Sequence, residues 1–346
     1  MSFLVRTQVG TCAAVLRDLA SSDPRVRKAA IAAAPRVARE EGDEARLRII
    51  EGLVAQLSTA ASTMIRGDAA LALADLEATE AVPQLIEAAT DDNDLLRELA
   101  VSALGEIGDG RAAEVVGKAL RDDEPEVRFQ AIVAYPRVAK GQIPEDRIWA
   151  ALRRGLDDAD GDVQVRAAEA CAELADGAEL PAAIGDRLAN LCRDEGAESE
   201  LRIVAAITLG DSGDARGGKV LVAVITGELP SDERRTCIAM ELAGELRLET
   251  AKANLEATVF GWRARFGDPT RRTAALVALC RLGDARAIAE VTADLESGSY
   301  AKKAIALGVA GRGKVRSARA AIEGLRGQPG LADPDAVEDA LAALDA

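Results

Sequence analysis

Two stretches carry the spacing of a phosphate-binding loop: Gly213-Asp-Ala-Arg-Gly-Gly218-Lys219 and Gly308-Val-Ala-Gly-Arg-Gly313-Lys314. In such a loop backbone N–H groups cradle phosphates, and a Ser or Thr after the Lys holds Mg²⁺. Here Val220 and Val315 follow the Lys, and no strand-forming run precedes either stretch, so both read as interhelix turns. The run Asp157-Asp158-Ala159-Asp160-Gly161-Asp162 resembles a calcium loop but lacks the Glu that closes a twelve-residue ring of ligands. It stands directly before a helical pattern, as do Asp91–Asp94 and Asp122–Glu124. Carboxylates there cap free amides and meet the positive end of the helix dipole. Capping is the reading for all three, with a weak cation site as the alternative.

The chain contains no histidine. That removes His-ligated metal sites, Ser-His-Asp and Cys-His nucleophiles and any imidazole pH switch. The five cysteines, Cys12, Cys171, Cys192, Cys237 and Cys280, form no CxxC pair and sit at Ala-sized positions of apolar stripes. They read as buried, reduced thiols of a cytoplasmic protein. Cys171 and Cys192 fall in adjacent helices, but no disulfide is expected. No catalytic group, metal site or cofactor emerges.

Two stretches could bind a partner. Residues 260–266 hold three of the chain's eight aromatics, Phe260, Trp262 and Phe266, interleaved with Arg263 and Arg265. Trp, Phe and Arg anchor many interfaces. Yet Leu248, Leu255, Val259, Trp262 and Phe266 also continue one helical stripe, which would pack Trp262 and Phe266 inward and leave Phe260 and Arg263 exposed. Residues 301–330 carry seven basic side chains against one acidic, with Arg312, Arg316, Arg319 and Arg326 at helical spacing. A solvated face, a site for an acidic protein partner and a poor nucleic-acid footprint are the three readings of that stripe.

Charge sets the background for these sites. The 346 residues carry a net charge of −15, and residues 61–240 alone hold 19 basic and 36 acidic side chains. Such a field repels nucleic acid and anionic lipid. The first ten residues lack the apolar core of a signal peptide, and no run is apolar enough to span a membrane.

The elements that position all these groups repeat. A capping or acidic residue, three residues, then a basic residue and an Ala-rich run recur nine times. The copies are Asp23–Arg27, Ser62–Arg66, Asn93–Arg97, Glu124–Arg128, Asp162–Arg166, Glu198–Arg202, Ser231–Arg235, Asp268–Arg272 and Ser299–Lys303. Three residues past the basic position stand Ala30, Ala69, Ala100, Ala131, Ala205, Ala275 and Ala306; seven past it stand Leu73, Leu104, Tyr135, Leu209, Leu242 and Leu279. The fifth copy is off by one, with Ala170 and Leu174. The spacing puts one small and one large residue on a shared helical face. Turn signals such as Gly108-Asp109-Gly110 and Gly283-Asp284 end each first helix, and a second amphipathic helix follows, as at 81–86 and 113–120. Nothing alternates with the period of a strand. Each unit is a helix hairpin that buries its apolar faces only by stacking on its neighbours.

The pattern Asp-x-x-Val-Arg-x-x-Ala-x-x-Ala-Leu-Gly, then Gly-Asp, then Ala-Val-Pro-x-Leu resembles the HEAT repeat, above all its short PBS-lyase-type form. The best copies are Asp91–Leu120 and Glu124–Leu156. The resemblance implies an all-α, right-handed α-solenoid of about nine hairpins over one domain, 1–346. Segment 3–20 and a C-terminal helix at 333–346 would cap it, with a loose joint at Gly327–Gly330. It further implies a structural ladder pairing Arg97, Arg128, Arg166 and Arg202 with the turn residues Asp109, Asp176 and Asp211. The function expected is a non-catalytic scaffold or adaptor binding a basic protein segment along the acidic ridge of second helices. Glu80, Gln84, Glu87 and Glu114 are its contact candidates. Self-association between the acidic middle and the basic C-terminal repeat is a further expectation. The rivals are a bilin lyase-like subunit and, behind it, a nucleic-acid-binding protein.

Overall fold

A computed structural model describes residues 10–262 and 267–345, and every regular element among them is helical. A first helix, α1 (Cys12–Leu19), precedes the pairs α2 and α3 (Pro24–Glu41, Asp43–Thr59), α4 and α5 (Thr63–Asp75, Val82–Ala88), and α6 and α7 (Asp94–Ile107, Ala113–Ala119). Then come α8 and α9 (Pro125–Ala139, Glu145–Gly155), α10 and α11 (Gly161–Ala175, Ala182–Arg193), and α12 and α13 (Ser199–Asp211, Gly218–Thr226). The pairs α14 and α15 (Glu233–Glu245, Lys252–Phe260), α16 and α17 (Pro269–Arg281, Ala285–Ser297), and α18 and α19 (Tyr300–Arg312, Arg319–Glu323) follow, and α20 (Pro334–Asp345) ends the chain. The chain divides into two compact units, Met1–Ala170 and Cys171–Ala346, the division falling within α10. The N-terminal cap expected over 3–20 lies outside the described residues for its first seven positions.

Local chemistry explains the boundaries. Asp23, Asn93, Asp232 and Asp268 each accept a backbone N–H of the first turn, and Pro24, Pro125 and Pro269 begin helices where no amide partner is needed. Gly108 ends α6 at φ 70°, a left-handed conformation that costs other residues energy. In five pairs the second helix is entered through a 3₁₀ turn, as at Gly110–Ala112, where the Asp109 carboxylate accepts the Arg111 amide.

Two starts differ from the sequence reading. In the fifth copy Asp160, not Asp162, is the capping carboxylate, accepting the amides of Asp162 and Val163. In the seventh copy the cap is Asp232, not Ser231. Counting four residues from these caps puts Gln164 and Thr236, not Arg166 and Arg235, in the basic position. The irregularity of the fifth copy then disappears: Ala167 and Cys171 stand three and seven residues on and are fully buried, whereas Leu174 is half-buried.

In each unit first helices pack on first helices: α4 on α6 and α6 on α8, then α14 on α16 and α18 on α20. Small residues allow this. A Cβ on Gly105 of α6 would lie 2.5 Å from Cβ and 2.9 Å from Cα of Ala134 in α8, and one on Gly244 of α14 would lie 2.6 Å from Cα of Ala278 in α16. The repeated alanines Ala30, Ala69, Ala100, Ala131, Ala205, Ala275 and Ala306 are all buried, as are Leu73, Leu104, Leu209, Leu242 and Leu279. With aromatics so scarce, these Ala and Leu layers form the core, and Tyr135 is its one buried aromatic among the described residues.

Candidate functional site

In the second, third and fourth copies the basic position is built into the scaffold. Arg97 spans from its own repeat to the next: its Nη1 donates to the carbonyls of Asp91 (3.0 Å) and Asp92 (3.1 Å), and its Nε and Nη2 reach the two carboxylate oxygens of Asp122 at 2.9 and 2.8 Å. Arg128 repeats the arrangement on the carbonyls of Asp122 and Asp123 and on the carboxylate of Asp158. Arg66 pairs with Asp91 at 2.9 Å. The planar fork of Arg suits this bidentate geometry. A ladder exists, but its acids are not the expected turn residues. Asp109 instead holds Arg111 beside it, and Asp211 makes no ion pair among the described residues.

The ladder acids sit two residues before the next cap, in the clusters read above as capping groups, and they do that work as well. Asp91, Asp122 and Asp158 accept the amides of Asn93, Glu124 and Asp160. Burial pushes the Asp122 and Asp158 carboxyls up, but the arginine bonds and those amides outweigh it and hold both below the usual carboxylate range. Gln164 confirms the register of the fifth copy: its amide donates to the Asp158 carbonyl six residues back, as Arg97 and Arg128 do to theirs.

A cavity of about 600 Å³ opens on first-helix residues of the second unit. Asp211, Glu233, Glu241, Glu245 and Asp268 line it with Arg234 and the apolar Ile238 and Leu242. Three of the acids are already paired, Glu233 with Arg271 (2.9 Å), Glu241 with Arg312 (2.7 Å) and Glu245 with Arg281 (2.9 Å). Partial burial and the Glu245 charge raise the Asp211 carboxyl. Cys237 also lines this cavity; burial and the adjacent Glu233 push its thiol up to about 11. Burial alone pushes Cys171 up to about 12, so these thiols are poor nucleophiles. All five cysteines are free thiols.

The family model for HEAT repeats matches residues 50–135, the stretch from α3 to α8 that contains the Arg66 and Arg97 rungs. That stretch carries HEAT repeats. Among solved structures, YibA of Escherichia coli is 19% identical over 78% of this chain and 92% of its own, with a TM-score of 0.57. The karyopherin Kap121p, bound to the extreme C-terminus of the protein phosphatase Cdc14p, is 17% identical over 96% of this chain, with a TM-score of 0.52. This chain spans 41% of that karyopherin. The CpcE–CpcF complex of phycocyanin lyase from Nostoc sp. PCC7120 is 21% identical over 71% of this chain and 92% of its own, at a TM-score of 0.43 that carries no argument about activity. No curated sequence matches. The likeness to YibA and Kap121p is one of fold, the α-solenoid.

Within the helix pairs the predicted contact residues are scattered. Glu80 is tied to Arg46 at 2.9 Å and Glu114 to Lys118 at 2.7 Å; Gln84 is half-buried, and Glu87 is exposed. The basic stripe is not a stripe. Arg312 ends α18, Lys314 turns the chain at φ 52°, Arg316 lies in a 3₁₀ turn and Arg319 starts α19. Arg312 is paired with Glu241, Arg319 with Asp345 and Arg326 with Glu338, while Arg316 is exposed.

The aromatic stretch also departs from expectation. Phe260, expected outside, packs half-buried against the core of the second unit with the Arg286 guanidinium 4.0 Å above its ring. Trp262, on the supposedly buried stripe, is 76% exposed. The reason is local: α15 stops at Phe260 and Gly261 is extended, so the helical period no longer applies. Arg263 and Phe266 lie outside the described residues. Neither phosphate-loop look-alike follows a strand. Gly213–Lys219 is the turn into α13, whereas Gly308–Arg312 belongs to helix α18 and only its last two residues turn. The acidic cavity escaped the sequence reading because it joins residues from three first helices. The one available signal was the acidic face Glu233, Cys237, Glu241 and Glu245 at spacings of four.

Proposed function

We propose that this HEAT-repeat protein is a non-catalytic scaffold that takes a Lys/Arg-rich segment of a protein partner on the first-helix face of the second unit. The observation that carries the reading is the cavity where five carboxylates surround Ile238 and Leu242. An aliphatic stem with a cationic tip fits such a lining, the stem on the apolar floor and the tip among the acids. The incoming cation compensates Asp211 and competes with the arginines that hold Glu233, Glu241 and Glu245. Charge steers association, and salt weakens it. The Kap121p solenoid, seen with a bound C-terminal segment of Cdc14p, offers a precedent for segment binding by this fold. Cytoplasmic placement belongs to the same reading; no helix among the described residues is long and apolar enough to cross a membrane.

The test is fluorescence anisotropy with a labelled Lys/Arg-rich peptide. Binding should be saturable at low salt, fall steeply as salt rises past physiological strength, and weaken about tenfold in Asp211→Lys. Glu87→Lys, on a second helix, should change it little. Salt-insensitive binding, or equal loss in the two variants, would overturn the assignment of the site.

A further inference from the structure

Arg202 lacks the rung that Arg66, Arg97 and Arg128 have. It stands four residues after the cap Glu198, the register of Arg97 and Arg128. The place two residues before the next cap, which gives those arginines Asp122 and Asp158, is here Pro230. The Arg202 side chain has no hydrogen bond or ion pair among the described residues, and its Nε is buried. The sequence pattern that supplies a rung elsewhere leaves an uncompensated guanidinium here.

That guanidinium borders a second cavity, of about 500 Å³. Cys192 and Arg193 come from the end of α11, Glu195 from the loop that follows, Arg202 from α12, Arg216 from the 3₁₀ turn and Lys219 from α13. Arg216 is satisfied by Asp186 and Asp214, both at 2.6 Å. Arg193 donates to the neutral Asn190 side chain at 2.9 Å, and Lys219 has no carboxylate partner among the described residues. Arg202 and Lys219, neither with a carboxylate partner among the described residues, therefore share one cavity with Arg193, whose charge also acts on Asp214, and with a single lining acid, Glu195, in the stretch of the chain that is otherwise most acidic. Like charges gathered this way repel one another unless an anion lies between them. The turn Gly213–Lys219, too short of ligands to hold Mg²⁺, supplies two of the cationic walls.

We propose that this cavity binds a phosphoryl-bearing small molecule without a metal ion. The Arg202 fork offers paired donors to two phosphoryl oxygens, and Lys219 and Arg193 add charge that tolerates more than one phosphate orientation. The volume lies within the range of about 300–1,000 Å³ common for small-ligand sites. The site is separate from the acidic cavity and opposite to it in charge, so each proposal can fail without the other.

The test is isothermal titration of the full chain with inorganic pyrophosphate at low ionic strength, with citrate as the non-phosphoryl polyanion. Saturable binding of pyrophosphate, at least tenfold tighter than citrate, is expected. Arg202→Gln and Lys219→Gln should each weaken it about tenfold, and Arg312→Gln should leave it unchanged. Lys219 is exposed, so its variant keeps the test valid if Arg202→Gln unfolds the repeat. Failure to saturate, equal binding of citrate, or indifference to the Lys219 substitution would overturn the proposal.

Discussion

Removing the Asp122 carboxylate should loosen two repeats at once. Asp122 accepts both nitrogens of the Arg97 fork and the Glu124 amide, and the Arg97 and Asp122 side chains are only 17% and 14% exposed. Severing a fully buried pair from one side costs about 3–5 kcal/mol. Arg97 is not fully dry and keeps the carbonyls of Asp91 and Asp92, so Asp122→Ala should fall lower, at about 2–3 kcal/mol. A double-mutant cycle with Arg97→Ala should give a coupling of about 1–2 kcal/mol, and Arg97→Lys should fall between, since an ammonium keeps the charge but not the fork.

Native-state amide hydrogen exchange in α6 and α8 is the suitable assay, because a repeat array need not unfold as one unit and a global midpoint can dilute a local effect. The control is Glu114→Ala, which removes an exposed pair with Lys118 and should leave exchange unchanged. If Asp122→Ala and Arg97→Ala prove additive within about 0.5 kcal/mol, the ladder does not couple the repeats and the reasoning fails.

Two more outcomes follow from the packing and the charges. Gly105→Ala drives a Cβ into the backbone of Ala134 and should cost about 1–3 kcal/mol in chemical denaturation, whereas Gly308→Ala in α18, with nothing within 4 Å, should stabilise by about 0.5–1 kcal/mol; equal effects would show that close approach of the first helices is not limiting. The carboxyls of Asp91, Asp122 and Asp158 lie below their ordinary value near ~3.9 in the folded chain, so their contribution is complete above that value and disappears as pH falls through the lowered one. Thermal melts should therefore drop below pH ~4, and replacing all three by Asn should flatten that drop; an unchanged slope would place the acid sensitivity elsewhere.

The sequence by itself determined the helix hairpins, their number and the faces they bury. Those follow from local rules: a cap, an Ala three residues past the basic position and a larger residue four further on all act within one or two helical turns. Of the arginines expected in the ladder it placed Arg97 and Arg128, which are bound to their own helix starts, but not Arg166, which pairs with Glu169 of its own helix, or Arg202, which has no rung. It did not identify the acids that answer them. Asp122 lies 25 residues from Arg97, and the turn acid Asp109 looked as suitable on paper. Only packing of consecutive first helices decides which carboxylate comes within 3 Å. The same holds for Trp262, whose exposure depends on where α15 stops, and for the basic C-terminal residues, whose charges are met by Glu241, Asp345 and Glu338 from other helices. The two cavities are tertiary as well. Each collects charges from three or more elements, and in one of them Pro230, in the place of Asp91, Asp122 and Asp158, leaves Arg202 without a rung. Periodicity reports what a residue does for its own helix; whether a charge is spent or free is settled by its neighbours in space.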